Sequence, residues 1–364
     1  MATRLEQTLN DIRPVDSKLA QLAKSHLDDL TKPLGSLGRL EEIAIKLYLI
    51  QQTHAVAPAM SLAPLVVDPA RIYTVAGDHG VTAAGVSLYP QEVTRQMVLN
   101  FVRGGAAVNV LARTVGVELQ VVDAGSVGGG YPEAKNLIQR KIAPGTANIE
   151  HGPAMSQEHC QQALELGVEL AADAAAAGCR VLGLGDMGIG NTTPSTALYC
   201  AFFGIEPSEI TGPGTGLAAE GVARKAAVIE RALVANSAAV LSKDPLRILA
   251  ALGGYEIATL AGVTLGAAAH GLAVAVDGFI STAAYAAAWK LCPAVADYAF
   301  FAHASAEPGH RRVLAALDAE PLLDLGMRLG EGTGSALAIV LLRAAANIFN
   351  DMATFSGAGV SKAS

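Results

Sequence analysis

The sequence predicts an α/β fold built on a parallel, doubly wound sheet with helices covering both faces. Two patterns carry that expectation. Short apolar runs recur through the middle of the chain, and each ends in an acid, a histidine or a glycine. Between them lie Ala-rich stretches of helical periodicity, the alternation that βαβ units require. Composition agrees: 51% of residues are apolar, only 16% are charged, and 38 glycines accompany 5% aromatics. That mix suits close helix-on-sheet packing with tight turns, and 364 residues allow one large domain with a smaller one, or two medium domains.

Along the chain, Leu19, Leu22, Ala23, Leu27 and Leu30 recur at helical spacing, and 37–49 repeats the pattern after a break at Pro33-Leu34-Gly35. A proline-containing stretch from Ala57-Pro58 to Asp68-Pro69 marks a boundary. The first strand is then Ile72-Tyr73-Thr74-Val75-Ala76, ending in Gly77-Asp78-His79-Gly80. A helix follows with Val93, Met97, Val98 and Phe101 on one side. Further strands are expected at 119–125, at 180–186, at 272–277 and at 298–303, which end at Gly125, Asp186, Asp277 and His303. Ligands of such sheets bind beyond the carboxyl ends of the strands, so these polar residues nominate one surface.

Charge and cysteine usage exclude other classes. The net charge is −7 and no basic run occurs, whereas nucleic-acid affinity needs clustered Lys and Arg; no nucleic-acid partner is expected. An anionic small molecule remains compatible, because helix N-termini hold phosphates with backbone N–H groups. No apolar signal-peptide core stands near the N-terminus, and the apolar stretches 257–269 and 278–289 are too short to span a bilayer. A cytoplasmic protein without a membrane span is the expectation. Cys160, Cys179, Cys200 and Cys292 are dispersed without a C-x-x-C pair, so they read as buried thiols in a reducing compartment, with no metal site.

Several motifs carry chemistry and an ordinary structural alternative. Gly183-Leu184-Gly185-Asp186-Met187-Gly188 satisfies G-x-G-x-x-G after a strand. The continuation Ile189-Gly190-Asn191-Thr192-Thr193-Pro194-Ser195 reads as a polar loop where a dinucleotide fold has its helix under way, so amides around a single phosphate fit better. Glu331, in Leu329-Gly330-Glu331-Gly332-Thr333-Gly334-Ser335, precedes an apolar helix at 336–346. It either complements that helix dipole or serves a planar ligand admitted by the flanking glycines. Asp78 and His79, adjacent on extended chain, point to opposite faces and do not share a ligand. Lys225 lies in a helical run whose default is a solvated face. Thr211-Gly212-Pro213-Gly214-Thr215-Gly216 is an ordinary loop or a lid, and Ser305, Glu307 and His310 belong to a strand-end site or a simple turn. Neither a G-x-S-x-G elbow nor a Walker loop is present, against a serine hydrolase or a P-loop NTPase.

Six segments in order resemble the nicotinate-nucleotide:dimethylbenzimidazole phosphoribosyltransferase family. They are 30–40 (LTKPLGSLGRL), 77–81 (GDHGV) with 85–94 (GVSLYPQEVT), 188–193 (GIGNTT), 253–258 (GGYEIA), 277–280 (DGFI) and 330–334 (GEGTG). The resemblance implies a Rossmann-like parallel sheet flanked by helices in a large domain, 61–330. It adds a small helical domain from both chain ends, 1–60 and 331–364. It also implies a homodimer without metal or organic cofactor. The expected reaction moves ribose 5-phosphate from nicotinate mononucleotide to a benzimidazole-type base for the lower ligand of cobalamin. By the same resemblance Glu331 is the catalytic base. Gly188, Gly190, Asn191, Lys225, Asp277 and Ser305 hold phosphate and ribose, and Ser87, Tyr89, Gln91 and Met97 surround the benzimidazole. Where relatives often carry glutamate in the G-E-M-G-I-G-N segment, this chain has Asp186, which keeps the charge with one methylene less reach; Pro213 stands in a loop that is often basic. The residues read by themselves leave two competitors: an NAD-dependent oxidoreductase and a non-catalytic nucleotide-binding module.

Overall fold

A computed structural model describes residues 2–55 and 62–361. Six strands form one sheet in the order β3-β2-β1-β4-β5-β6. They are β1 (Ala70–Gly77), β2 (Glu118–Gly125), β3 (Leu137–Gln139), β4 (Val181–Met187), β5 (Ala273–Val276) and β6 (Ala299–Phe301). Every neighbouring pair is parallel. Buried on both faces, β1, β4 and β5 are near-continuous apolar runs, as the sequence suggested. β3 was not legible: three half-buried or exposed residues at an edge give no periodic signal. The boundary at 57–69 falls partly on 56–61, outside the described residues.

Adjacent residues of a strand face opposite sides, and β1 shows which layer lies on each. The Tyr73 hydroxyl donates to the Leu170 carbonyl of helix Gln157–Ala176, while the neighbouring Thr74 hydroxyl donates to the Glu331 carbonyl at 2.6 Å. The first layer pairs helix Gln157–Ala176 with helix Tyr255–Ala269, which runs under β1, β2, β4 and β5. Their approach is set by Gly167 and Gly262. A Cβ at Gly167 would stand 2.5 Å from the Val263 nitrogen, closer than packing permits. The second layer is led by helix Thr333–Asp351, which packs on β1, β4 and β5 and on helices Arg39–Thr53 and Ala107–Val115.

Helix Thr333–Asp351 is, among the described residues, the one helix long and apolar enough to cross a membrane. Here Ala336, Ala338, Ile339, Leu342, Ala345, Ala346 and Phe349 are buried in the protein core. Its start precedes the expected 336, because Thr333 and Gly334 already form the first turn.

Candidate active site

The chain leaves β1 for β2 on one side of the sheet and enters β4 on the other, so a crevice opens at the carboxyl ends where strand order reverses. A cleft of about 430 Å³ occupies this end of the sheet. Of the residues singled out in the sequence, Ser87, Tyr89, Met97, Asp186, Gly188, Gly190, Asn191, Ser305 and Glu331 line it together. Gln91, Lys225 and Asp277 do not line it. Gln91 reaches the His79 carbonyl at 3.4 Å.

The wall after β4 is the segment 186–192. Helix Thr192–Phe203 begins directly after Asn191, so the polar run at 192–195 is its first turn and not the loop expected from sequence. Two of its hydroxyls are turned back onto the chain: Ser195 donates to the Asn191 carbonyl at 2.9 Å and Thr196 to that of Thr192 at 2.7 Å. Such back-bonding lets residues of low helix propensity sit inside a helix. Gly188–Asn191 thereby become the approach to a helix N-terminus, suited to an anion. Gly190 takes the left-handed conformation (φ +86°) that this entry requires. The formal G-x-G-x-x-G also has a different meaning. Gly183 and Gly185 lie inside β4, where their missing side chains admit Ser335 and the Glu331–Gly332 backbone.

The Glu331 turn is the most constrained backbone of the site. Gly330, Glu331 and Gly332 all have positive φ (83°, 65° and 98°), and Glu331 alone of the three carries a side chain there. A bulky residue in this region is uncommon and marks a held conformation. Five hydrogen bonds hold it. The Asp277 carboxylate accepts the N–H groups of Gly332 (2.9 Å) and Gly334 (2.6 Å), Thr74 binds the Glu331 carbonyl, and the Ser335 hydroxyl bridges the carbonyls of Leu184 and Ala275. Asp277 is fully buried beneath the turn, placed to support it. The Glu331 side chain accepts an N–H from Val108 at 3.3 Å, in the first turn of helix Ala107–Val115. Burial raises its pKa above the ordinary glutamate value, the charge of Asp277 adds to that, and the Val108 N–H opposes it.

Asp186 is buried too, and its pKa is pushed up to about 8 by burial and then by the charge of Asp277, against the hydrogen bond from the Asn191 amide (2.9 Å). At neutral pH it therefore carries a proton, so the charge counted at that position in the sequence is absent from the folded site. Lys225 likewise departs from its default reading. It is buried, not solvated: its ammonium donates to the Thr192 hydroxyl at 2.6 Å and the Gly212 carbonyl at 3.3 Å. Helix Ala219–Ala235 directs it inward because Val228, Ile229 and Ala232 share its buried face. Burial lowers its pKa to about 8, opposed by Glu307.

Loop 211–216 closes one side of the cleft through Gly214 and Thr215. The Glu307 carboxylate accepts the Gly214 N–H at 2.8 Å, Arg328 reaches the Gly214 carbonyl, and the Thr215 and Ser87 hydroxyls meet at 3.1 Å. Glu307 and Ser305 thus belong to a strand-end wall, while His310 stands behind it, accepting the Ser305 N–H at 2.8 Å. Asp78 and His79 do diverge: Asp78 accepts the Val127 N–H and His79 pairs with Glu256 at 2.6 Å. Sequence reasoning passed over Arg328, which carries no local signal, read Thr192 only as part of a polar loop, and left His303 as a strand end only.

The phosphoribosyltransferase family model (DBI_PRT) matches residues 12–360. This chain belongs to that family. Nicotinate-nucleotide–dimethylbenzimidazole phosphoribosyltransferases from Nitratidesulfovibrio vulgaris strain DP4 and Oleidesulfovibrio alaskensis are 63% and 62% identical to it. They align over 100% and 99% of this chain and 99% and 98% of their own. The crystal structure of CobT from Thermus thermophilus superposes with a TM-score of 0.85 at 44% identity, covering 95% of this chain and all of that one.

Proposed function

We propose that this enzyme transfers the 5-phosphoribosyl group of nicotinate mononucleotide to 5,6-dimethylbenzimidazole. The products are α-ribazole 5′-phosphate and nicotinate, on the route to the cobalamin lower ligand. The observation that carries the reading is the Glu331 carboxylate, delivered into the cleft by three consecutive left-handed residues and raised in pKa by burial. A general base works best with a pKa drawn toward the working pH. The names of the relatives spanning the whole chain support the same substrates.

In the mechanism, the lone pair of one benzimidazole nitrogen attacks the anomeric carbon and forms the new N–C bond. The bond to the nicotinate nitrogen breaks, and its electron pair returns to the pyridine ring. Glu331 takes the N–H proton that would otherwise leave the product cationic. Its charge also stabilises positive character on the ribosyl carbon. The leaving nitrogen is already quaternary, so no general acid is needed. Attack opposite the leaving group inverts a β-linked ribose to an α-linked one.

The 5′-phosphate is assigned to Gly188, Gly190 and Asn191 at the start of helix Thr192–Phe203, with Lys225 behind Thr192. Ser305 and the Asp277-supported turn flank the ribose. Ser87, Tyr89 and Met97, with Gln91 beneath, form the benzimidazole side. We retain the division into a small helical domain from both chain ends, 1–60 and 331–364, and a large domain, 61–330; helix Arg39–Thr53 packs on helix Thr333–Asp351, which also covers the sheet. We place the enzyme in the cytoplasm, consistent with four free thiols, and read it as a homodimer.

The test is to incubate the protein with both substrates and detect the riboside phosphate by mass. In the same assay Glu331→Gln keeps the shape but loses the base. Its kcat is expected to fall about 10²–10⁴-fold with an unchanged melting temperature. Turnover like the wild type removes Glu331 from the chemistry.

A further inference from the structure

His303 follows β6, bridged to Leu323, and contributes to the cleft wall. Its side chain is 1% exposed, and neither ring nitrogen has a hydrogen-bond partner within the described residues. Leaving a buried polar group unpaired is unfavourable, and such groups in folded proteins mark a function or an absent partner. The ring is nevertheless fixed in place. A Cβ at Gly278 would stand 3.1 Å from its Nε2 and one at Gly334 3.0 Å from the same atom, so two glycines admit the ring edge. Asp277 does not satisfy it: its Oδ1 is 3.6 Å from Nε2 and already accepts the Gly334 N–H. The imidazole is thus held by packing, with its polar capacity uncommitted beside the cleft.

The surroundings select what meets it. The Asp277 and Glu331 carboxylates flank this corner, and the charge of Asp277 adds to burial in raising the pKa of both Asp186 and Glu331. A phosphate dianion is disfavoured among carboxylates, and is drawn instead to the amides before Thr192 and to the Lys225 ammonium. A sugar hydroxyl fits, because it can donate to a carboxylate while exchanging a second hydrogen bond with an imidazole. We propose that His303 is a substrate-positioning residue that binds a ribose hydroxyl of the nucleotide, and so fixes the anomeric carbon against the Glu331 turn. The proposal rests on the phosphoribosyl-transfer reading given above.

The test compares nicotinate mononucleotide with its 2′-deoxy and 3′-deoxy forms as donors. In the wild type, removing the contacted hydroxyl is expected to lower kcat/KM about tenfold, the scale of one hydrogen bond. His303→Phe keeps the ring volume, and is expected to lose about tenfold with the parent donor while the KM for the benzimidazole stays unchanged. It should then respond no further to the deoxy donor that penalises the wild type, and His303→Asn should recover part of the loss. A wild type that uses both deoxy donors as well as the parent overturns the proposal, and this arm needs no folded variant. Strictly additive losses in His303→Phe overturn it as well. Product from the parent donor reports separately on the reaction, so transfer can stand while the His303 assignment fails; no product from the parent removes both.

Discussion

Lys225 and Asp186 show how burial rewrites the chemistry that a residue name suggests. The Lys225 ammonium donates to Thr192 at the helix entry, and burial has brought its pKa down to about 8. The profile of kcat/KM against pH reports groups of the free enzyme. It should therefore fall for nicotinate mononucleotide above about pH 8, as Lys225 loses its charge. Lys225→Arg stays charged throughout this range, and is expected to bind the nucleotide more weakly but without the alkaline decline. A decline that persists in the Arg variant belongs to another group.

For Asp186 the sign is opposite to that of a salt-bridged acid. The unfolded chain releases the proton near the ordinary value of 3.8, whereas the folded protein keeps it to about 8. Across that window the folded state binds more protons, so stability falls as pH rises. Asp186→Asn removes this dependence while its carbonyl oxygen can still accept from Asn191. The gain in melting temperature over the wild type should be larger at about pH 8 than at about pH 5, and an equal gain at both would mean that Asp186 is ionised in the fold. These titrations were not visible in the sequence, where Asp186 counted as a charge and Lys225 read by itself as a solvated helix residue, nominated for phosphate and ribose by the family resemblance alone. Titration depends on what packs around a group, and those neighbours come from distant segments.

At the scale of elements, β4 and the turn before helix Thr333–Asp351 act as one unit. Gly183 and Gly185 let the turn lie directly on the strand; a Cβ at Gly185 would stand 2.7 Å from the Gly332 nitrogen. Gly185→Ala is expected to displace the Glu331 turn, lowering kcat at least about tenfold and stability by about 1–3 kcal/mol, as overpacked cores do. Assay and denaturant titration together check it; unchanged kcat would show that the turn does not depend on this contact. The strands that carry the site were legible because parallel strands buried on both faces are short apolar runs with a polar residue at the exit. The start of helix Thr192–Phe203 was not, because Thr192, Thr193 and Ser195 read as loop formers until the Ser195 and Thr196 hydroxyls are seen to fold back on the helix. β3 escaped for its shortness.

On the scale of the molecule, the cleft mouth carries large apolar side chains in water: Leu88 and Leu329 are more than half exposed, as is Tyr89. Such surface is costly unless a ligand or a partner covers it, which agrees with the proposed homodimer. Sedimentation equilibrium should return twice the 37.2 kDa chain mass at micromolar concentration; a single chain mass would remove the dimer.

The sequence by itself determined the alternation of strands and helices, the polar residues that leave the strand ends, and the glycine-flanked glutamate. Each is a local signal, carried by the spacing of near neighbours in the chain. Only the tertiary structure decided the strand order that opens the cleft at the junction of β1 and β4. It also decided the burial of Lys225, the support of the Glu331 turn by Asp277 from 55 and 57 residues away, and the unpaired His303 beside them. Hydrogen bonds, desolvation and charge coupling arise between segments that meet only on folding, so they leave no periodicity in the chain to be read.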